Sequence, residues 1–318
     1  MNDFSLLLPE FLVAGLAFFI LALDLFIKEN WKRYLVWVAF FGLAVILFVS
    51  LFIESEGQLY DGLLEFDEFT KFFRIFFLII GGVTVIISRE YVDSRLKYPG
   101  EYYGILLFTL LGAMLLASSA ELLTAYINLE LLSFGLYVLV GYERYNPKSN
   151  EASVKYILLG AFSSALILFG ISQIYGLLGT TRFDEMSVAF SSLSSISPGM
   201  AVGFVLIVSG LGFKLAAVPF HMWAPDVYEG APLPITAWLS VGSKAAALAL
   251  AIRLFSEGFI SVFGELQPIL IVIAAITMVI GNLLALVQKN IKRLLAYSSI
   301  CLLYTSDAAD ERSSVDLG

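Results

Sequence analysis

The sequence predicts an all-α fold, a polytopic transmembrane helical bundle. Three observations predict it: 59% of the 318 residues are hydrophobic, only 14% are charged, and the apolar residues gather in long runs between charged or Gly/Pro-containing connectors. A globular domain carries about a quarter charged residues, and the mean hydropathy of +0.87 is far from such a composition. A helix needs roughly 20 apolar residues to cross about 30 Å of hydrocarbon. The runs are too long and too continuously apolar for barrel strands, which alternate over ~10 residues.

Taken in order, the first run, 5–27, carries Pro9 and Glu10 where a leader would carry Lys or Arg, and it lacks a small-residue cleavage site. It reads as a retained span. Runs 34–53 and 72–88 follow, separated by an acidic connector with Glu54, Glu56, Asp61, Glu65, Asp67 and Glu68. Runs 102–119, 122–141 and 153–178 come next, then 200–218, which meets Pro219, and 234–255, which opens at Pro234. A ninth run covers 266–287 and a tenth begins near Arg293. Gly and Ala among the Leu, Ile and Phe suit close helix approach in lipid.

With these spans, one set of connectors holds Lys28, Lys32, Arg33, Arg89, Arg95, Lys97, Arg144, Lys148, Lys289, Lys292 and Arg293, and the other only Lys71, Arg74, Arg182 and Arg253. The basic set is expected on the cytoplasmic side, which places the N-terminus outside. A net charge of −8 without a long basic tract argues against a nucleic-acid partner. One cysteine, Cys301, and one histidine, His221, cannot build a thiolate cluster or a His-rich metal site within the chain. Any redox cofactor is expected on another subunit.

The last residues change character: an apolar helix begins at 293–300, and then Asp307, Asp310, Glu311, Arg312 and Asp316 appear. A transmembrane helix does not accommodate them without severe cost. The alternatives are a natural hydrophilic tail and a foreign one joined where the native reading frame stops. The abruptness favours a non-native or disordered tail over 301–318 and a longer parent protein.

Charges inside spans are the candidate functional residues, because intramembrane ionisable groups are costly and mark ion paths. Glu130 stands nine residues past Glu121 in its run, too deep to snorkel on a two-carbon stem. It reads either as neutral helix glue or as an acid that exchanges a proton or pairs with a lysine. Lys214 precedes Pro219 and Pro225, which interrupt the following turns, and a broken helix needs a protein-lined cavity. It is either a snorkelling anchor or a titratable group on a polar path. Lys244, ten residues past Pro234, lies about 15 Å into the bilayer, where the functional reading leads. Lys155 is an interfacial anchor or a partner of Glu130. His221 caps a helix end or relays protons. Asp24 and Glu10, near the ends of the first run, are expected to point to the surface. With no nucleotide loop or phosphate cradle, this pattern favours ion movement over bond chemistry, since neighbouring buried acids and amines titrate as a coupled unit.

VPFHMWAPDVYEGAPLPITAWLSVGSKAAALAL, from Val218 to Leu250, together with LLTAYINLELLSFGLYVLVGY (122–142), EASVKYILLGAFSSALILFGISQIYG (151–176) and QKNIKRLLAYSSI (288–300), resembles the antiporter-like membrane subunits of proton-pumping NADH:quinone oxidoreductase, respiratory complex I, and among them the N subunits. The resemblance runs to Ile300. It implies inverted-topology five-helix repeats over helices 4–8 and 9–13, with helices 7 and 12 discontinuous and the second repeat truncated here. Residues 1–100 then hold three N-terminal helices, 101–256 the first repeat and 257–300 the start of the second. The family's key residues fall on Glu130, Lys155, Lys214 and Lys244, with His221 near the centre of the polar axis; a further lysine in helix 12 lies beyond this sequence. The chain itself is expected to bind no cofactor; NADH, FMN, iron–sulfur clusters and quinone belong to the other parts of such a complex. Expected partners are neighbouring antiporter-like and small membrane subunits and the lipid of a bacterial inner membrane. The alternative is a subunit of a cation/proton antiporter or of an energy-converting hydrogenase, which share the architecture; HMWAPDVYEGAPLP followed by SVGSKAA favours the N type.

Overall fold

Helices start where the sequence supplies a first turn that needs no backbone donor, or a side chain to satisfy one. The computed structural model describes residues 4–53, 56–193 and 197–301. Among them, nine helices are long and apolar enough to cross a membrane. They are α1 (Leu8–Phe26), α2 (Leu35–Phe52), α3 (Glu68–Arg95), α4 (Pro99–Ala117), α5 (Leu122–Val140), α6 (Pro147–Leu178), α7 (Pro198–Leu215), α8 (Leu233–Gly258) and α9 (Phe263–Leu286). Proline occupies the first turn of α1, α4, α6 and α7, where its missing N–H is harmless. The Asp67 carboxylate accepts the Thr70 N–H at 2.8 Å to cap α3, and the Glu121 carboxylate accepts from Leu123 and Thr124 to cap α5.

The helices that most exceed their apolar runs are α3 and α6. α3 extends from 72–88 to Glu68–Arg95 and α6 from 153–178 to Pro147–Leu178, because the backbone ladder continues into connectors whose side chains are polar. Between α2 and α3 a small antiparallel hairpin, β1 (Gly57–Leu59) with β2 (Leu64–Phe66), adds strand to a fold expected to be all helix. Leu64 bridges to Ser119 and Glu121 to Arg182, so the hairpin, the α4–α5 corner and the segment after α6 lie at the same end of the bundle.

α4 is the centre, with 78% of its apolar window buried, packed against α1, α3, α5 and α8. Close approach is set by glycine: a Cβ on Gly112 of α4 would meet the Leu132 backbone N of α5 at 2.7 Å. α9 is at the edge, with only 11% of its window buried. Large apolar side chains such as Phe18, Phe41 and Phe134 point outward, as a lipid-facing surface requires.

α7 stops at Leu215 with Ala216 left-handed at φ 58, followed by turns and a short helix, Trp223–Gly230, before α8. The interruption is therefore confined to 216–222. Pro225, expected to break the helix, lies instead in the first turn of Trp223–Gly230, where proline is tolerated. The freed backbone is satisfied locally: Ala217 N–H donates to Gly212 O at 2.7 Å and Val218 N–H to the Thr277 hydroxyl of α9 at 3.0 Å. After α9 the chain is helical over 291–301. The tail expected over 301–318 lies, apart from Cys301, outside the described residues.

Candidate functional site

α5, α6 and α7 each contribute to a charged centre in the bundle. Glu130 of α5 accepts a short hydrogen bond from the Ser164 hydroxyl of α6, and its Oε1 lies 3.7 Å from the Lys214 Nζ of α7. The lysine donates to the Ser133 hydroxyl at 2.7 Å, one turn from Glu130 along α5. Side-chain exposures of 7% for Lys214 and 14% for Glu130 make this a buried ion pair; neither charge alone recovers its hydration there. Both contacts of the carboxylate fall on Oε1, and the ammonium keeps donors to spare.

From Lys214 an aromatic column leads to the helix break. The ammonium lies 5.9 Å from the Tyr137 ring centroid; Tyr137 meets Tyr156 edge-on at 4.7 Å, and Tyr156 stacks on Trp223 at 4.8 Å. Trp223 Nε1–H donates to Phe213 O at 2.8 Å, so the indole closes the end of α7 next to Lys214. His221 lies within the break, buried, its ring 6.4 Å from that of Tyr297.

Lys244 is 3% exposed in α8, immediately after a π-helical turn, Leu239–Ser243. Such turns are rare and cluster at functional sites. Its Nζ donates to the carbonyl of Ser299 at 2.8 Å and to the Ser299 hydroxyl at 2.9 Å. Lys155 does not join Glu130. It pairs with Asp226 at 2.7 Å and Glu151 at 2.8 Å, and its side chain is 42% exposed. Of the two sequence readings, pairing with Glu130 is the one this geometry does not show. Asp226 also binds Arg293 at 2.6 Å, and Glu229 binds Arg293 at 3.3 Å and Lys148 at 2.9 Å. This network joins α6, the short helix Trp223–Gly230 and helix 291–301. Burial alone would raise the Asp226 carboxyl, but the hydrogen bonds from Lys155 and Arg293 outweigh it and hold the group below its ordinary value. The Lys148 hydrogen bond, opposed by burial and aided by Arg293, does the same for Glu229.

The profile of the family described as "NADH:quinone oxidoreductase/Mrp antiporter, TM" matches residues 119–303, which hold all five of these side chains. The chain belongs to this family. NADH-quinone oxidoreductase subunit N of Desulforamulus reducens is 42% identical over 301 residues, covering 94% of this chain and 63% of that protein. Among solved structures, respiratory complex I from Thermus thermophilus with bound aureothin contains a chain 31% identical, with a TM-score of 0.77 and coverage of 93% of this chain and 62% of that one. The membrane-bound sulfane sulfur reductase, an archaeal respiratory membrane complex, contains one 26% identical, with a TM-score of 0.78 and coverage of 95% and 63%. The chain thus spans a little under two thirds of the length of the relatives it matches.

For a member of this family, the structure also holds three buried charge clusters that sequence reasoning missed. Glu10, expected at the surface, is 2% exposed and receives both Nε (2.9 Å) and Nη2 (3.2 Å) of Arg74, which also donates to Leu6 O at 3.0 Å. Asp24, likewise expected outside, is 7% exposed and pairs with Lys32 at 3.5 Å. Both expectations fail for one reason: each acid lies near a helix end, but a second segment covers that end and carries the counter-charge. Arg253, counted as a connector residue, is 1% exposed at the end of α8 and binds Asp67 at 2.8 Å, Glu257 at 3.1 Å and Glu65 at 3.4 Å. These clusters fasten α1 to α3 and α8 to the hairpin. The available signal was weak: basic residues at 74 and 253 stand within or beside apolar runs, and apart from Glu257, four residues after Arg253, the acids that pair with them lie far off in sequence.

Proposed function

We propose that this chain is part of an N-type membrane subunit of NADH:quinone oxidoreductase, and that in the assembled enzyme it conducts protons across a bacterial inner membrane while other subunits carry NADH, FMN, iron–sulfur clusters and quinone and perform the electron transfer. The observation that carries this reading is the Glu130–Lys214 pair, an acid and an amine 3.7 Å apart in the bundle beside an interrupted helix. In this reading α4–α8, residues 101–256, form one five-helix repeat, 1–100 supply three preceding helices, and α9 within 257–300 opens an inverted second repeat. The N-terminus faces outside, as the basic connectors indicate. Neighbouring antiporter-like and small membrane subunits are the partners.

The working step follows from the pair. While Glu130 is close, its charge holds the Lys214 ammonium; when a change originating at the quinone site draws them apart, the amine releases its proton towards His221 and Lys244, and restoring the pair reloads it. Ser133 and Ser164 keep both groups aligned between cycles. Lys155, through Asp226, fixes the short helix that follows the break.

A second reading, a subunit of a cation/proton antiporter or an energy-converting hydrogenase, is supported by the family description, which spans both kinds of assembly, and by the likeness to the sulfane sulfur reductase chain. Affinity purification of the full-length tagged protein from its own membranes separates them. Copurifying NADH:quinone reductase activity with flavin and iron–sulfur clusters supports the first reading. Sodium-dependent proton exchange or hydrogen evolution without NADH oxidation would replace it with the second.

A further inference from the structure

Lys244 differs from the other deeply buried cations. Arg74 faces Glu10, Arg253 faces Asp67, Glu65 and Glu257, and Lys214 faces Glu130. Among the described residues Lys244 forms no ion pair; its nitrogen is held by the carbonyl and hydroxyl oxygens of one residue, Ser299, at 2.8 and 2.9 Å. The Ser299 hydroxyl in turn donates to Ala296 O at 2.8 Å. Its hydrogen is committed to its own helix, so it meets Lys244 as an acceptor only.

That arrangement suits an amine in either charge state. A protonated lysine has three N–H donors and a neutral one has two. Two fixed acceptors satisfy both N–H groups of the neutral amine and leave the third position on nitrogen, where the proton comes and goes, facing away from Ser299. A carboxylate partner would favour the charged form alone; a carbonyl and a hydroxyl oriented as acceptor hold the nitrogen in place through the exchange. Arg293, six residues earlier on helix 291–301, binds Asp226 and Glu229 of the helix that follows the break. One helix therefore contacts both the short helix after the break and the amine of α8.

We propose that Ser299 is a positioning residue for Lys244, fixing its amine in both protonation states so that proton exchange is confined to one direction. This rests on the proton-conducting reading above. The test uses the full-length protein in its assembled complex, with proton pumping and quinone reduction measured per complex for Ser299→Ala, Ser299→Thr and, as reference, Lys244→Met. Ser299→Ala keeps the carbonyl and removes the hydroxyl; loss of one hydrogen bond to a charged group corresponds to at least about a tenfold fall in pumping rate. Ser299→Thr, which restores the acceptor, should return within about twofold of wild type, a rescue that a volume effect does not produce. If Ser299→Ala does not assemble, Ser299→Cys, close in volume with a weak acceptor, is read the same way. Wild-type pumping in Ser299→Ala alongside loss in Lys244→Met overturns the role of Ser299 alone. Wild-type pumping in Lys244→Met overturns the proton-path reading and this inference with it.

Discussion

Glu10 and Arg74 give the sharpest single-residue prediction on stability. Both are almost fully buried and joined by two hydrogen bonds, so removing one partner strands the other, at a cost of about 3–5 kcal/mol. Glu10→Ala or Arg74→Ala should therefore lower the melting temperature of the detergent-solubilised full-length protein clearly, while the double variant Glu10→Met/Arg74→Met, with no stranded charge, should melt closer to wild type than either single change. Equal melting of all four proteins would show that the pair carries no such role. Sequence reading picked out Glu130, Lys214 and Lys244 because a charge within an apolar run is visible locally. It misplaced Glu10 and Asp24 because what decides their burial is a partner elsewhere, Arg74 in the first case, 64 positions away. A lone sequence carries no record of that contact. The same limit left open whether Lys155 meets Glu130 or faces outward.

At the scale of elements, the short helix Trp223–Gly230 is held on its polar side by charges. Lys155 and Arg293 grip Asp226, and Lys148 and Arg293 grip Glu229; Lys292 Nζ donates to the carbonyls of Ala231 at 2.7 Å and Glu229 at 3.3 Å. Both carboxyls are held below their ordinary values in the folded protein. Their contribution to stability is therefore complete above the unfolded-state carboxylate range and is lost as pH falls through the lower folded-state values. Melting temperature should drop on acidification through that range, and Asp226→Asn should flatten part of the drop while lowering stability at neutral pH. An unchanged acid limb in Asp226→Asn would show that Asp226 is not one of the groups responsible. The break itself was legible from Pro219, but its extent was not. Proline at 225 looks identical in sequence whether it interrupts a helix or begins one, and only the left-handed Ala216 and the start at Trp223 distinguish the two.

For the whole molecule, the spans were legible because hydrocarbon thickness fixes their length and backbone satisfaction fixes their form. Which helix is central was not: α4 and α9 are both long apolar runs, yet one is 78% and the other 11% buried. Glycines such as Gly112, which let α4 approach its neighbour, decide such packing, and their pairing is a tertiary property. The central claim is that this bundle is arranged around a proton path through Glu130, Lys214 and Lys244. The most direct measurement is proton translocation against NADH oxidation in inverted membrane vesicles carrying the full-length protein with Glu130→Ala, Lys214→Met or Lys244→Met, normalised to assembled complex. The account predicts a fall in pumping of at least about tenfold in each, as for loss of a positioned proton-transfer group; wild-type rates and proton-to-electron ratios in all three would contradict it and leave the charges as structural ties between helices.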